Sequence, residues 1–267
     1  MKISLDWLKD YIDLPDAVDT GKLAYDLTMS TVEVEGCEAM SEKFRNIVMG
    51  EIAEVLPHPN ADKLRICRTD IGGGETREIV CGGTNLRSGM KVAVAKPGAL
   101  VRWHGEGDLV EIKNAKLRGV ESYGMICASS EIGLFDLLPA DGEAVIIDLS
   151  DFDARPGTQL DAALGIDDVI LEIDNKSLTN RPDLWGHYGI ARELSALYDV
   201  PLKEIPAFAD FSDPSMRAGL RIAIDAPERC ARYMGFRIEN VSTKAASFKI
   251  QSRIWRVGQR PINALVD

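Results

Sequence analysis

The residues of this chain best suited to chemistry are cations and amides gathered between positions 58 and 118. His58-Pro59-Asn60-Ala61-Asp62-Lys63 precedes a strand-like run, Asn85 follows a Gly82-Gly83 pair, and Lys113, Lys116 and Arg118 crowd one short stretch. Lysine and arginine so placed can pair with phosphates, and asparagine offers a donor and an acceptor to a sugar or base edge. The same residues have a plain structural use. Pro59–Asp62 is ordinary turn chemistry, and alternating cations on a strand are where solvated charges belong. Taken one at a time, each is read as structure before it is read as a contact.

Catalytic chemistry finds less support. No pair has nucleophile–base spacing, and neither a Walker-type phosphate loop nor a paired-carboxylate pattern occurs. His58, His104 and His187 stand far apart, with no Cys or His at metal-ligand spacing. His187 lies between Trp185 and Tyr188 and reads as a packed side chain. The acidic runs Asp151–Asp153 and Asp167-Asp168 read as solvated turn charges. Trp103 and Tyr123, with Phe44 and Phe135, are the aromatics available to stack on bases, and all four read as core. Five cysteines without a CxxC pair indicate reduced, mostly buried thiols. With no signal-like N-terminus and no apolar run near the ~20 residues a bilayer needs, a cytoplasmic location and no membrane partner are expected.

These side chains need elements to hold them. At 267 residues, 45% hydrophobic and 27% charged, the chain can bury a sizeable core in more than one domain. Its net charge of −11 has the wrong sign for a simple nucleic-acid binder. The balance is −6 over 1–39, −3 over 40–150, −6 over 151–204 and +4 over 205–267, so a boundary is expected near 205. Helices are predicted over 4–12, with Ser4 as N-cap, over 20–29, over 184–198 and over 247–257. Short strands are predicted from Ile47 onward, including 91–95, 109–113, 125–127, 144–147 and 169–173, with a hairpin around Gly72-Gly73-Gly74. Many short strands over roughly 100 residues suggest a small barrel or sandwich. Residues 205–215 look like a linker, followed by strands at 220–224 and 233–238. Lys249, Arg253, Arg256 and Arg260 recur every three or four residues, and the first three read as a solvated helix face.

Four blocks occur in order: 58–64, Ile79-Val80-Cys81-Gly82-Gly83-Thr84-Asn85, 89–99, and 112–127 with Lys113-Asn114-Ala115-Lys116-Leu117-Arg118-Gly119. Together they resemble the tRNA-binding OB-fold module of free tRNA-binding proteins, methionyl-tRNA synthetase tails and bacterial phenylalanyl-tRNA synthetase β subunits. The flanks favour the last of these. Met1-Lys2-Ile3-Ser4-Leu5-Asp6-Trp7-Leu8 resembles the β-subunit start, 178–194 the segment after the OB insertion, and 260–267 the opening of the B3/B4 editing domain. Gly83-Thr84 departs from the usual Ala-Pro and loosens that loop.

The resemblance implies an α+β fold: an OB barrel (40–150) inserted into a small mixed domain (1–39 with 151–204), then the start of an editing domain (205–267). It implies a structural and tRNA-binding part of an (αβ)₂ ligase that charges tRNA(Phe) with phenylalanine. The α subunit carries the synthetic site and uses ATP and magnesium, and this portion binds neither cofactor and has no catalytic residue. tRNA contacts are expected from His58, Asn60, Lys63, Asn85, Lys113, Lys116 and Arg118. Arg260 matches an editing-pocket arginine whose histidine and glutamate partners lie beyond residue 267, so no editing activity is expected. The rival readings are a free-standing tRNA-binding or RNA-chaperone protein and an assembly module whose barrel has lost RNA affinity.

Overall fold

The computed structural model describes residues 1–15, 18–140, 142, 144–205, 221–235 and 237–267. It opens on β1 (Lys2–Ser4) and a single helical turn, α1 (Leu5–Leu8). Ser4 caps it as expected, its hydroxyl accepting the Trp7 N–H at 2.9 Å. The helix stops short of residue 12 because the Leu8 carbonyl takes the N–H groups of both Tyr11 and Ile12 and the chain tightens into a turn. α2 (Thr20–Ser30) is capped by the Asp19 carboxylate at 2.7 Å from the Lys22 N–H and buries Leu23 and Leu27. β2 (Val34–Ala39) and the short α3 (Met40–Lys43) lead into the strand-rich region.

That region runs β3 (Ile47–Pro57), β4 (Arg65–Asp70), β5 (Thr76–Cys81), β6 (Lys91–Ala95), β7 (Leu100–Arg102), β8 (Leu109–Glu111), β9 (Ala115–Leu117), β10 (Val120–Ser122) and β11 (Met125–Ile126). β3, β4, β5, β6 and β11 form one antiparallel sheet in the order β11-β6-β3-β4-β5. The Tyr123 N–H donates to the Glu78 carbonyl at 2.9 Å and the Val80 N–H to the Ser122 hydroxyl at 3.0 Å. Those bonds bring the two sheet edges together, so the five strands make a nearly closed barrel. Gly124 makes the closure possible. At φ 71° it occupies the left-handed region, and a Cβ there would lie 2.3 Å from the Ala95 carbonyl oxygen.

β6 and the first half of β3 are buried on both faces, which is why those stretches read as near-continuous apolar runs. Val48, Val92 and Val94 fill the barrel interior with Ile52, Ile79 and Met90. Met49, Ala93 and Ala95 face a second core that reaches Leu134, Leu160 of α4 (Leu160–Ala163) and Ile170. A third core packs Ile3, Leu8, Leu23 and Leu27 beneath Leu171 of β12 (Val169–Ile173) and Ile190 and Leu194 of α5 (His187–Tyr198). β12 is the middle strand of a three-stranded antiparallel sheet, β1-β12-β2, so residues distant in sequence share one sheet on either side of the barrel.

Several expectations need correction. Ala144–Ile147 is no strand: Ala144 sits at φ 55°, and the Asn85 amide takes up both backbone groups of Ile146. No strand forms at 221–224 or within the described residues of 233–238, where no neighbouring strand offers a ladder. Leu220 and most of the expected linker lie outside the described residues. Asp168 is not a solvated turn charge. It is 7% exposed and accepts from Asp6 N–H and Val169 N–H (both 2.8 Å), the Ser4 hydroxyl and Arg256 Nη1 (2.8 Å). Arg253 and Arg256 likewise leave solvent. They belong to α6 (Phe248–Arg256), which docks on the N-terminal turn, Arg253 on Asp10 and Arg256 on Asp168. A paired and fully hydrogen-bonded carboxylate tolerates burial where a bare one does not. Lys249 alone of the three stays exposed.

Candidate nucleic-acid interface

Six of the seven expected contact residues, all but Asn85, fall on or beside two loops that the structure brings side by side. The 58–64 loop joins β3 to β4, and the β9–β10 hairpin folds against it. His58 makes the joint. It is 6% exposed, its Nδ1 accepts the Asn60 N–H at 3.1 Å, and its Nε2–H donates to the Leu117 carbonyl at 3.2 Å. Asn60 Nδ2 donates to the Arg118 carbonyl at 2.9 Å. Asn85 is occupied elsewhere, its amide bonded twice to Ile146, at 2.8 and 2.9 Å. His58, Asn60 and Asn85 thus shape the loops, with both ring nitrogens of His58 engaged inside the protein.

The cations differ. Lys63, Lys116 and Arg118 are exposed, and Lys113 is exposed with Glu111 3.9 Å away. Arg118 and Gly119 are the two central residues of the hairpin turn, at φ 46° and 97°. Positive φ at both positions suits a tight two-residue hairpin, although arginine is a poor resident of that region.

Beside the hairpin lies a cleft of about 620 Å³, floored by the outer end of the barrel and walled by Trp103 and His104, by residues 128–131 with Phe135, and by residues 144–146. Lys113, Leu117 and Arg118 line one side. Trp103 and Phe135, expected in the core, stand on its walls at 55% and 52% exposure, whereas Phe44 is fully buried as expected. Tyr123 is half-buried, with the Arg77 guanidinium 4.9 Å from its ring centroid. Glu131 lies in the cleft wall at 9% exposure; burial pushes its carboxyl up, against the pull of the Ala128 N–H on Oε2 at 2.7 Å. From sequence Trp103 and Phe135 are candidate stacking rings read as core, a reading their exposure corrects, and nothing in the sequence points to Ser129 or Glu131. The available signal was Trp103 itself, a large aromatic set in the polar, glycine-rich run His104-Gly105-Glu106-Gly107, where no core strand fits.

Among the described residues no group of three or more His, Cys, Asp and Glu could hold a metal ion. Burial pushes the Cys67 thiol up to about 12 and the Cys81 thiol up to about 11, so both stay protonated and poorly nucleophilic. Arg260, set apart from the barrel face, is exposed at the rim of a smaller hollow with Lys43, Asp136 and Trp255.

Residues 47–159 match the family model described as a putative tRNA binding domain. The whole chain aligns with the phenylalanine–tRNA ligase β subunits of Oceanobacillus iheyensis (38% identical), Fusobacterium nucleatum (37%) and Yersinia pestis (39%), covering 100% of this chain and 32% of each relative. The chain matches the N-terminal part of the phenylalanine–tRNA ligase β subunits. It spans about a third of the length of these relatives. The region matched by the putative tRNA binding domain begins at β3 and ends beside α4, and so takes in the barrel, the hairpin and the cleft.

Proposed function

We propose that the chain serves as the N-terminal part of the β subunit of a phenylalanine–tRNA ligase, with a structural and tRNA-binding role and no synthetic site. The observation that carries this is the end-to-end similarity to such subunits, with a tRNA-binding domain at its centre. In this reading the barrel (40–150) is an insertion in a host domain made of 1–39 and 151–204, and 205–267 opens an editing domain to which Arg260 contributes. The assembled enzyme is an (αβ)₂ heterotetramer in the cytoplasm. It charges tRNA(Phe) with phenylalanine, using ATP and magnesium at the α subunit. Lys63, Lys113, Lys116 and Arg118 are the phosphate-facing members of the contact set; His58, Asn60 and Asn85 act by holding their loops.

The test uses the complete ligase with this segment in its β subunit. Replacing 40–167 by a short turn, which spares the Asp168 that pairs with Ser4, Asp6 and Arg256, should raise KM for tRNA(Phe) several-fold. ATP–pyrophosphate exchange with phenylalanine, which needs no tRNA, should persist and shows that the enzyme is folded. An unchanged KM for tRNA would remove the tRNA-binding role. A second reading, an assembly module without RNA affinity, is favoured by the −3 balance of residues 40–150. It predicts dissociation of the subunits on the same deletion.

A further inference from the structure

We propose that the cleft beside the β9–β10 hairpin takes one unstacked nucleobase of single-stranded RNA, stacked on Trp103 or Phe135 and read at its edge by Ser129 and Glu131. This rests on the tRNA-binding reading above and deepens it, from a phosphate-binding surface to a pocket for an unpaired nucleotide.

Four observations converge on that occupant. The first is the exposure of two large rings on one cleft, at 55% and 52%, in a domain whose other large apolar side chains are mostly buried. Every base has a π-face, and stacking on an aromatic is the means by which proteins hold unpaired bases without a duplex.

The second is that the Trp103 turn is built to stay in place. The Arg102 N–H donates to the Glu131 carbonyl at 2.8 Å. Gly105, at φ 79°, packs so closely that a Cβ would lie 2.6 Å from the Ser130 Cβ. An exposed tryptophan on a turn anchored at both ends loses little freedom when a ring settles on it.

The third observation is polar. Ser129 lines the cleft and is 1% exposed, and its hydroxyl has no hydrogen-bond partner among the described residues. A buried hydroxyl without a partner is costly, so it marks a place where a ligand group completes the bonding. The Glu131 carboxyl beside it can accept from an exocyclic amine, and in its protonated form it can donate to a ring nitrogen or carbonyl. A base edge presents donors and acceptors side by side; an apolar peptide side chain offers neither.

The fourth is the placement of Lys113 and Arg118 on the same cleft, exposed and next to the rings. A base inserted there brings its own phosphate, and these cations lie within the same hollow to meet it. A volume of about 620 Å³ is of the order that small-molecule sites use.

The experiment titrates the full chain with a short single-stranded oligoadenylate, the same strand in a duplex, and inorganic pyrophosphate, following indole and backbone amide NMR shifts. The single strand should shift the Trp103 indole and the Ser129 amide; the duplex should not. Trp103→Ala should weaken binding about tenfold, the range a lost base–aromatic stack produces. Trp103→Phe should recover most of it, and Ser129→Ala should weaken it several-fold. Circular dichroism of each variant confirms folding, which exposed rings leave undisturbed. Equal binding of duplex and single strand, shifts reproduced by pyrophosphate alone, or affinity indifferent to Trp103→Ala would overturn the pocket, as would an apolar peptide outcompeting the oligonucleotide there. The two readings fail separately. If barrel deletion raises KM while Trp103→Ala has no effect on oligonucleotide binding, only the pocket is lost. If the strand binds as predicted while barrel deletion leaves KM unchanged, the tRNA-binding role within the ligase fails and the pocket stands.

Discussion

His187 shows how much a single side chain can depend on its neutral form. Its ring stacks on Trp7 at 4.2 Å, and Nε2 accepts the Ser4 N–H at 3.0 Å, which only an unprotonated nitrogen can do. Burial lowers its pKa from 6.5 to about 4, and the nearby Arg253 and Arg256 push it the same way. The unfolded chain therefore binds a proton that the folded chain refuses over that interval. Stability from this group is complete above pH 6.5 and drains away as pH falls toward 4. We expect a loss of about 2 kcal/mol across the window in urea titrations, after allowing for partial solvent screening. His187→Gln, whose amide oxygen can still accept from Ser4, should flatten that limb; an unaltered pH profile would refute the assignment. The packed reading of this histidine holds, but the ring it packs on is the distant Trp7, whereas its sequence neighbours Trp185 and Tyr188 are exposed. The burial of Asp168 was not legible, because its partners Ser4, Asp6 and Arg256 lie 164, 162 and 88 residues away.

Among the elements, the β9–β10 hairpin carries the most tension between stability and use. Arg118 occupies a left-handed position at φ 46° that glycine or asparagine would fill with less strain. Arg118→Gly should raise the unfolding free energy by up to about 1 kcal/mol while removing one cation from the contact surface. A melting temperature that falls instead would show that the arginine stem packs usefully on the cleft. Period-two alternation made most of the barrel strands readable, and the glycine triplet correctly placed the β4–β5 hairpin. What pattern could not supply was the closure, which turns on one glycine at 124 and a hydroxyl at 122. It also could not show that 144–147 surrenders its backbone to Asn85, since an asparagine standing in for a strand leaves no periodic trace. The cleft was hidden for a related reason: exposure of Trp103 and Phe135 depends on which loops lie over them.

For the whole molecule, charge sets the strength of any RNA contact. Lys63, Lys116 and Arg118, which make no ion pair among the described residues, stand with Lys113 near Glu111 on a domain that is net negative. The isolated chain should bind tRNA(Phe) more weakly than about 1 μM at physiological salt. Its log affinity should fall against log salt with a slope of only about −3, as three to four neutralised phosphates would give. A submicromolar constant in a filter-binding assay, or a much steeper slope, would contradict this.

The pairing of Val169 with Ala39 also dictates an order of assembly. Joining those two strands from a disordered chain means closing a loop of about 130 residues, an entropic cost roughly 3 kcal/mol above that of a tight turn. Once β3 to β11 have condensed, however, that loop is already drawn into a compact body and its ends are close neighbours. The barrel should therefore be an early kinetic unit and the β1-β12-β2 sheet a late one, with amide protection appearing at Val92 and Val94 before it appears at Leu171.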